Sequence, residues 1–131
     1  MVAPQIVLGE RSHLYRGVPR WVIFDAVGLH LSRWVHLHPG EVQPKILEET
    51  PPDGLVWSSL WPISPKDRIE IALAEDSGDT TLSFKWLSET PPDARGIGIT
   101  RQRLNKTFGG DIRGWLASEE AWQLSAEGPT K

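Results

Sequence analysis

Residues 68–87, RIEIALAEDSGDTTLSFKWL, decide how this chain folds. Ile69, Ile71 and Leu73 alternate with Arg68, Glu70 and Ala72. Leu82, Phe84 and Trp86 then alternate with Thr81, Ser83 and Lys85. A period of two predicts strands with one face buried and the other in water. Between the two runs lies Asp76-Ser77-Gly78-Asp79, a short polar segment suited to a hairpin loop. The stretch therefore predicts two antiparallel strands that share one apolar face.

The pattern extends upstream. Residues 55–61 form an apolar and aromatic run with Leu55, Trp57, Ser59 and Trp61 on one side, and the turn Pro51-Pro52-Asp53-Gly54 precedes it. Residues 42–49 alternate roughly through Val42, Pro44 and Ile46 after the turn at Pro39-Gly40. Four hairpin-linked strands with one apolar face predict an antiparallel meander. Before them, residues 18–35 place Val22, Ile23, Ala26, Val27, Leu31, Trp34 and Val35 at helical spacing, interrupted at Gly28. They predict one or two short helices, with Pro19 in a first turn and Ser32 as a candidate cap. Residues 1–17 are weakly patterned, with a short strand at 5–8.

Downstream, Asp93 after Pro91-Pro92 is a candidate cap for a long amphipathic helix. Its stripe is Ile97, Leu104, Phe108, Ile112 and Trp115, and the meander is the surface it has to cover. Gly109, Gly110 and Gly114 interrupt that pattern, each at a cost of about 1 kcal/mol relative to alanine. Gly110 and Gly114 fall on the outer side and Gly109 near the flank. They predict a kink or break at Gly109-Gly110. Residues 1–118 read as one α+β domain, and 119–131 as a polar tail that frays, Trp122 apart.

The totals narrow the function classes. With 131 residues the chain suits one domain with a real core. A formal charge of -3 does not predict binding to nucleic acid or anionic lipid. Without cysteine there is no disulfide, thiol catalysis or thiolate metal site. No signal-peptide pattern and no run of about 20 apolar residues is visible, so a cytoplasmic chain without a membrane span is expected. Seven tryptophans against three phenylalanines read either as bulky core or as rigid cavity walls.

Several segments resemble a known family. Residues 31–62, LSRWVHLHPGEVQPKILEETPPDGLVWSSLWP, residues 78–86, GDTTLSFKW, and residues 103–116, RLNKTFGGDIRGWL, are similar to parts of the SRPBCC (START-like) superfamily. The nearest branches are the activators of the ninety-kilodalton heat-shock chaperone and the bacterial polyketide-cyclase-like proteins. The resemblance implies a helix-grip fold: a curved antiparallel sheet wrapped on a long C-terminal helix, with a pocket between them. Two features of that family are hard to find. Its strong first strand has to come from residues 5–15 if it is present, and a hairpin before the Gly40-Glu41-Val42 strand is missing.

The implied pocket leads to a ligand-binding set of Trp34, His38, Trp57, Trp61, Phe84, Trp86, Arg101, Leu104, Asn105 and Phe108. Arg101 and Asn105 are the polar members of the helix stripe. Arg101 either reaches an edge or a carboxylate, or with Asn105 it orients an anionic or carbonyl-bearing ligand in a wet cavity. Gln102, Arg103, Lys106 and Arg113 read as a solvated face. His30, His36 and His38 cluster in sequence but lack the carboxylates of a metal site, and no cofactor is expected. Enzyme signatures such as G-x-S-x-G, H-E-x-x-H and the phosphate loop are absent. The expected function is binding of an apolar or amphipathic small molecule, with a homodimer as one way to close a shallow cavity. Two alternatives remain open: a cyclase- or hydrolase-type enzyme using Arg101 and His38, and a chaperone-activator-like interaction module.

Overall fold

The computed structural model describes residues 5–126. Strand β1 (Ile6–Tyr15) is followed by the short helices α1 (Arg20–Val27) and α2 (Leu31–Trp34). Strands β2 (Ile46–Thr50), β3 (Gly54–Ser58), β4 (Arg68–Asp76) and β5 (Asp79–Ser88) come next. They form one antiparallel sheet in the order β1-β5-β4-β3-β2. The meander expected from alternation is present, and its register stacks the apolar positions in rows. Leu55 lies beside Ile71 and Ile71 beside Phe84; Trp57 lies beside Ile69 and Ile69 beside Trp86. The β4–β5 loop turns on Ser77 and Gly78, with φ of 53° and 85°. Two positive φ values in a two-residue loop match the right-handed twist of the strands they join.

Three strand boundaries differ from the alternation. β3 stops at Ser58 rather than at 61: the Ser59 hydroxyl accepts the Trp61 N–H at 2.9 Å and turns the chain. β2 begins at Ile46, past Pro44, whose missing N–H suits it poorly to a ladder. The strong first strand is also there. β1 is ten residues long and pairs with β5, although little in its sequence alternates. It is an edge strand bulged at Leu8, with Ile6, Val7 and Leu14 about half exposed. Its register sets Gly9, Arg11 and His13 beside the inward Trp86, Phe84 and Leu82. Polar residues on the inner face hide the period-two signal.

The helices are fixed by indole N–H groups. Trp34 Nε1 donates to the Ala26 carbonyl and Trp57 Nε1 to the Val27 carbonyl, each at 2.7 Å. Both acceptors lie in the last turn of α1, where carbonyls have no helical partner. Pro19 is the N-cap of α1, not its first helical residue, and Ser32 lies inside α2 without a capping bond.

The long helix has three parts: α3 (Ala94–Lys106), a π-helical turn at Thr107–Asp111, and α4 (Ile112–Leu116). Asp93 caps it as expected, accepting the Gly96 N–H at 2.8 Å. The break at Gly109-Gly110 takes the form of one wide turn, a known cause of helix bending. Residues 119–126, expected to fray, form α5 (Glu119–Ala126) with Ala121 buried; residues 127–131 lie outside the described part. No described helix is long and apolar enough to cross a membrane.

Candidate functional site

Six of the ten residues expected to line a pocket are in the packed core. Trp34, Trp57, Phe84, Trp86, Leu104 and Phe108 are each at most 3% exposed. Their rings touch one another: Phe84 and Phe108 are 5.1 Å apart between centroids, Trp57 and Phe108 5.3 Å, and Trp34 and Trp57 6.2 Å. Facing aromatic positions are thus filled by each other at interior density. Trp86 Nε1 donates to the buried Asp67 carboxylate at 3.0 Å, which anchors the ring.

The remaining four residues divide between the two flanks of α3. On the flank facing β1, Arg101 and Asn105 line a cleft of about 560 Å³ together with Val7, Leu8, Gly9, Glu10, Arg11 and Phe84. Arg101 is exposed, and its Nε donates to the Leu8 carbonyl at 2.6 Å. It therefore both reaches the sheet edge and lines a cleft, combining the two readings of the sequence. Gly9 makes this crossing possible, because a Cβ there would stand 3.1 Å from Arg101 Cγ. One helical turn on, Asn105 Oδ1 is buried and without a well-formed hydrogen bond, as is His13 Nε2 on β1. Burial first, then the charges of Arg11 and Arg113, hold the His13 imidazole below its usual range. A side-chain hydrogen bond from the neighbouring Asn105 amide opposes that shift, although it is too long or too bent to satisfy Asn105 Oδ1 and His13 Nε2 fully. The imidazole also stacks on Phe84 at 6.2 Å and lies where a Cβ on Gly109 would come within 3.1 Å. Gly109 therefore makes room for a strand residue, although Gly110 and Gly114 face open space as expected.

On the other flank, His38 and Trp61 border a hollow of about 310 Å³ with Glu41, Ile99, Thr100, Gln102, Arg103 and Lys106. Arg103 was expected on a solvated face, but its side chain is 6% exposed and pairs with Glu41, 7% exposed, at 2.9 Å. The helical wheel places Arg103 away from the sheet correctly. What it omits is the loop between α2 and β2, which folds over that side and supplies Glu41. Arg103 also donates to Thr107 Oγ1 and to the His36 carbonyl, each at 2.7 Å. Glu41 accepts from Trp61 Nε1 at 3.1 Å and from the His38 backbone N–H at 2.8 Å. Burial alone would raise the Glu41 carboxyl, but these donors and the Arg103 charge hold it below the usual carboxylate range. His38 and Arg101, the polar residues named for the enzyme alternative, lie on opposite flanks of α3 and line different hollows.

Sequence reasoning missed Arg11, His13, Glu41 and Arg103. Arg11 and His13 are two apart in a strand without visible alternation; Glu41 lies in a loop far in sequence from Arg103, and nothing local to α3 points to it.

No family model matches the chain, and no curated protein matches it. Solved structures are similar. CalU16 from Micromonospora echinospora superposes with a TM-score of 0.62 at 19% identity, over 90% of this chain and 80% of that one. The Aha1 dimer from Colwellia psychrerythraea gives 0.59 at 13% identity, over 76% and 90%. An HSP90 activator from Plasmodium falciparum gives 0.55 at 18% identity, over 82% and 92%. At these identities the likeness is one of fold, and that fold is the helix-grip arrangement of a curved antiparallel sheet around a long C-terminal helix.

Proposed function

We propose that this protein binds a small amphipathic molecule in the cleft between β1 and α3. The observation that carries the reading is a cleft lined by Leu8 and Phe84 together with the polar side chains of Arg11, Arg101 and Asn105. Asn105 Oδ1, on the cleft wall, is buried without a well-formed hydrogen bond, which costs free energy unless something else meets it. The core rings lie too close together to admit a ligand, so the binding place moves from the centre of the domain to its β1 edge. The test is to follow backbone and side-chain amide resonances while adding charged and neutral ten-carbon amphiphiles. Perturbations centred on Gly9, Arg11, Arg101 and Asn105 are expected. Perturbations confined to other surfaces, or none, would overturn the reading.

A second reading has its own observation. Ile63, Ile99, Val42 and Leu37 are 93%, 57%, 47% and 43% exposed, and they border in sequence or line the hollow of His38 and Trp61. Exposed apolar residues around a rigid ion pair suit a protein partner or a second copy of the chain. Two similar structures are named as an HSP90 activator and an Aha1 dimer, which lends this reading some support. Light scattering on the purified chain distinguishes a monomer from a dimer, and Ile63→Asp should leave a monomer unchanged but split a dimer formed on this face.

A further inference from the structure

We propose that the occupant of the β1–α3 cleft carries an oxyanion, a carboxylate or a phosphate, gripped between Arg11 and Arg101 beside Asn105, which in turn neighbours His13. The proposal rests on the binding reading above and names the chemical class of its ligand.

The grip follows from two matched ladders. Residues two apart on a strand are about 6.7 Å apart along its axis, and residues four apart on a helix about 6 Å. Arg11 and His13 are two apart on β1; Arg101 and Asn105 are four apart on α3. Both elements run in the same direction: Leu8 and Gly9 meet Arg101, His13 meets Gly109, and the Tyr15 hydroxyl donates to the Phe108 carbonyl. Arg11 and Arg101 therefore stand on opposite walls of the cleft, with Asn105 one helical turn further along and His13 next to Asn105.

The cations are available. Among the described residues Arg11 makes no hydrogen bond or ion pair, and Arg101 uses only Nε, which leaves both of its Nη groups for a ligand. Glu10 is the carboxylate at the rim. Two guanidinium groups beside Leu8 and Phe84 suit an oxyanion with a hydrocarbon body, because their planar donors match carboxylate and phosphate oxygens.

The groups around His13 give binding a pH dependence. Arg11 lies on its own strand and Arg113 reaches it from α4, both positive, and Arg101 adds a third positive charge on the cleft that Asn105 lines. Asn105 is neutral, and β5 contributes the apolar Leu82 beside His13 and the Phe84 ring stacked on it. With the cleft empty these cations disfavour a second positive charge on His13. An arriving oxyanion cancels their field, so the imidazole gains a proton and donates it as a hydrogen bond. Binding therefore takes up a proton and strengthens as pH falls through the usual imidazole range near 6.5.

The experiment titrates the whole chain with decanoate, decyl phosphate and neutral decanol by calorimetry, at pH 8 and pH 6. Both anions are expected to bind at least tenfold more tightly than decanol, and decanoate, whose charge is constant over this range, more tightly at pH 6 than at pH 8. Which anion wins identifies the headgroup. Arg11→Gln, on a side chain without partners, should weaken the anions about tenfold more than it weakens decanol. The His13 ring resonances in the wild-type chain should titrate at higher pH when decanoate is bound. If decanol binds as well as the anions, or if Arg11→Gln changes nothing, the oxyanion proposal fails while the amphiphile reading stands. If none of the three binds, both fail. Acetate serves as the control: acetate alone binding as tightly as decanoate would mean an adventitious ion only and would also overturn the proposal.

Discussion

At the scale of single residues, Glu41 and Arg103 carry more than any exposed charge in the chain. Both are nearly fully buried, and together they join α3 to the loop before β2, to Trp61 and to Thr107. Removing one member of a buried pair leaves the other charge desolvated, which costs about 3–5 kcal/mol. Glu41→Gln keeps the shape and loses the charge, and should lower stability to urea by about 3 kcal/mol at neutral pH. The pH dependence has a definite sign. The folded carboxyl lies below its unfolded value, so its contribution is full above the usual carboxylate range and is lost as pH falls through that range. The gap between variant and wild type should therefore close in acid. A gap that stays constant down to pH 3 would mean that Glu41 acts through packing, not charge. By contrast, Arg20–Asp53, half in solvent, should matter by less than about 1 kcal/mol.

At the scale of elements, the glycines of the last helix separate two effects. Gly110 faces open space, whereas a Cβ on Gly109 would meet His13 at 3.1 Å. Gly110→Ala should stabilise the chain by about 0.5–1 kcal/mol through lower backbone entropy in the unfolded state. Gly109→Ala gains the same term but has to displace the imidazole from between the helix and Phe84. It should be clearly less stable than Gly110→Ala in parallel urea melts, and equality of the two would show that His13 yields freely. The hairpin offers an independent check. Ser77 holds φ at 53°, where asparagine is at less of a disadvantage, so Ser77→Asn should stabilise by about 1 kcal/mol or less. Sequence predicted these elements unevenly, and for physical reasons. Strands β3 to β5 bury one face and keep the other in water, so their alternation is visible. β1 does not, because its inner face carries Gly9, Arg11 and His13 beneath a helix that touches it only at intervals. The π turn was visible as a disturbance at Gly109-Gly110, but its hydrogen-bond pattern was not.

At the scale of the whole molecule, α3 divides the domain into two flanks with different chemistry. Helical spacing put Arg101 and Asn105 on one stripe with the core residues, and they do lie together at the cleft. It could not show that a loop far away in sequence covers Arg103, since nothing local to α3 encodes Glu41. The β1 flank ends on His13, the loop flank on Glu41, and the two share no hydrogen-bond partner. Sites without shared partners add within about 0.5 kcal/mol. The flanks should also titrate separately. His13, depressed in the folded chain, costs stability as pH falls through the unfolded imidazole range near 6.5; Glu41 does so only below the carboxylate range. Urea midpoints measured from pH 8 to pH 3 should therefore fall in two separate steps. His13→Gln should remove the upper step and leave the lower, Glu41→Gln should do the reverse, and the double variant should lack both. If His13→Gln changes the lower step, or if the double variant departs from the sum by more than about 1 kcal/mol, the flanks are coupled through the helix. The π turn at Thr107–Asp111 is then the place where they communicate, since Thr107 faces Arg103 and Gly109 faces His13.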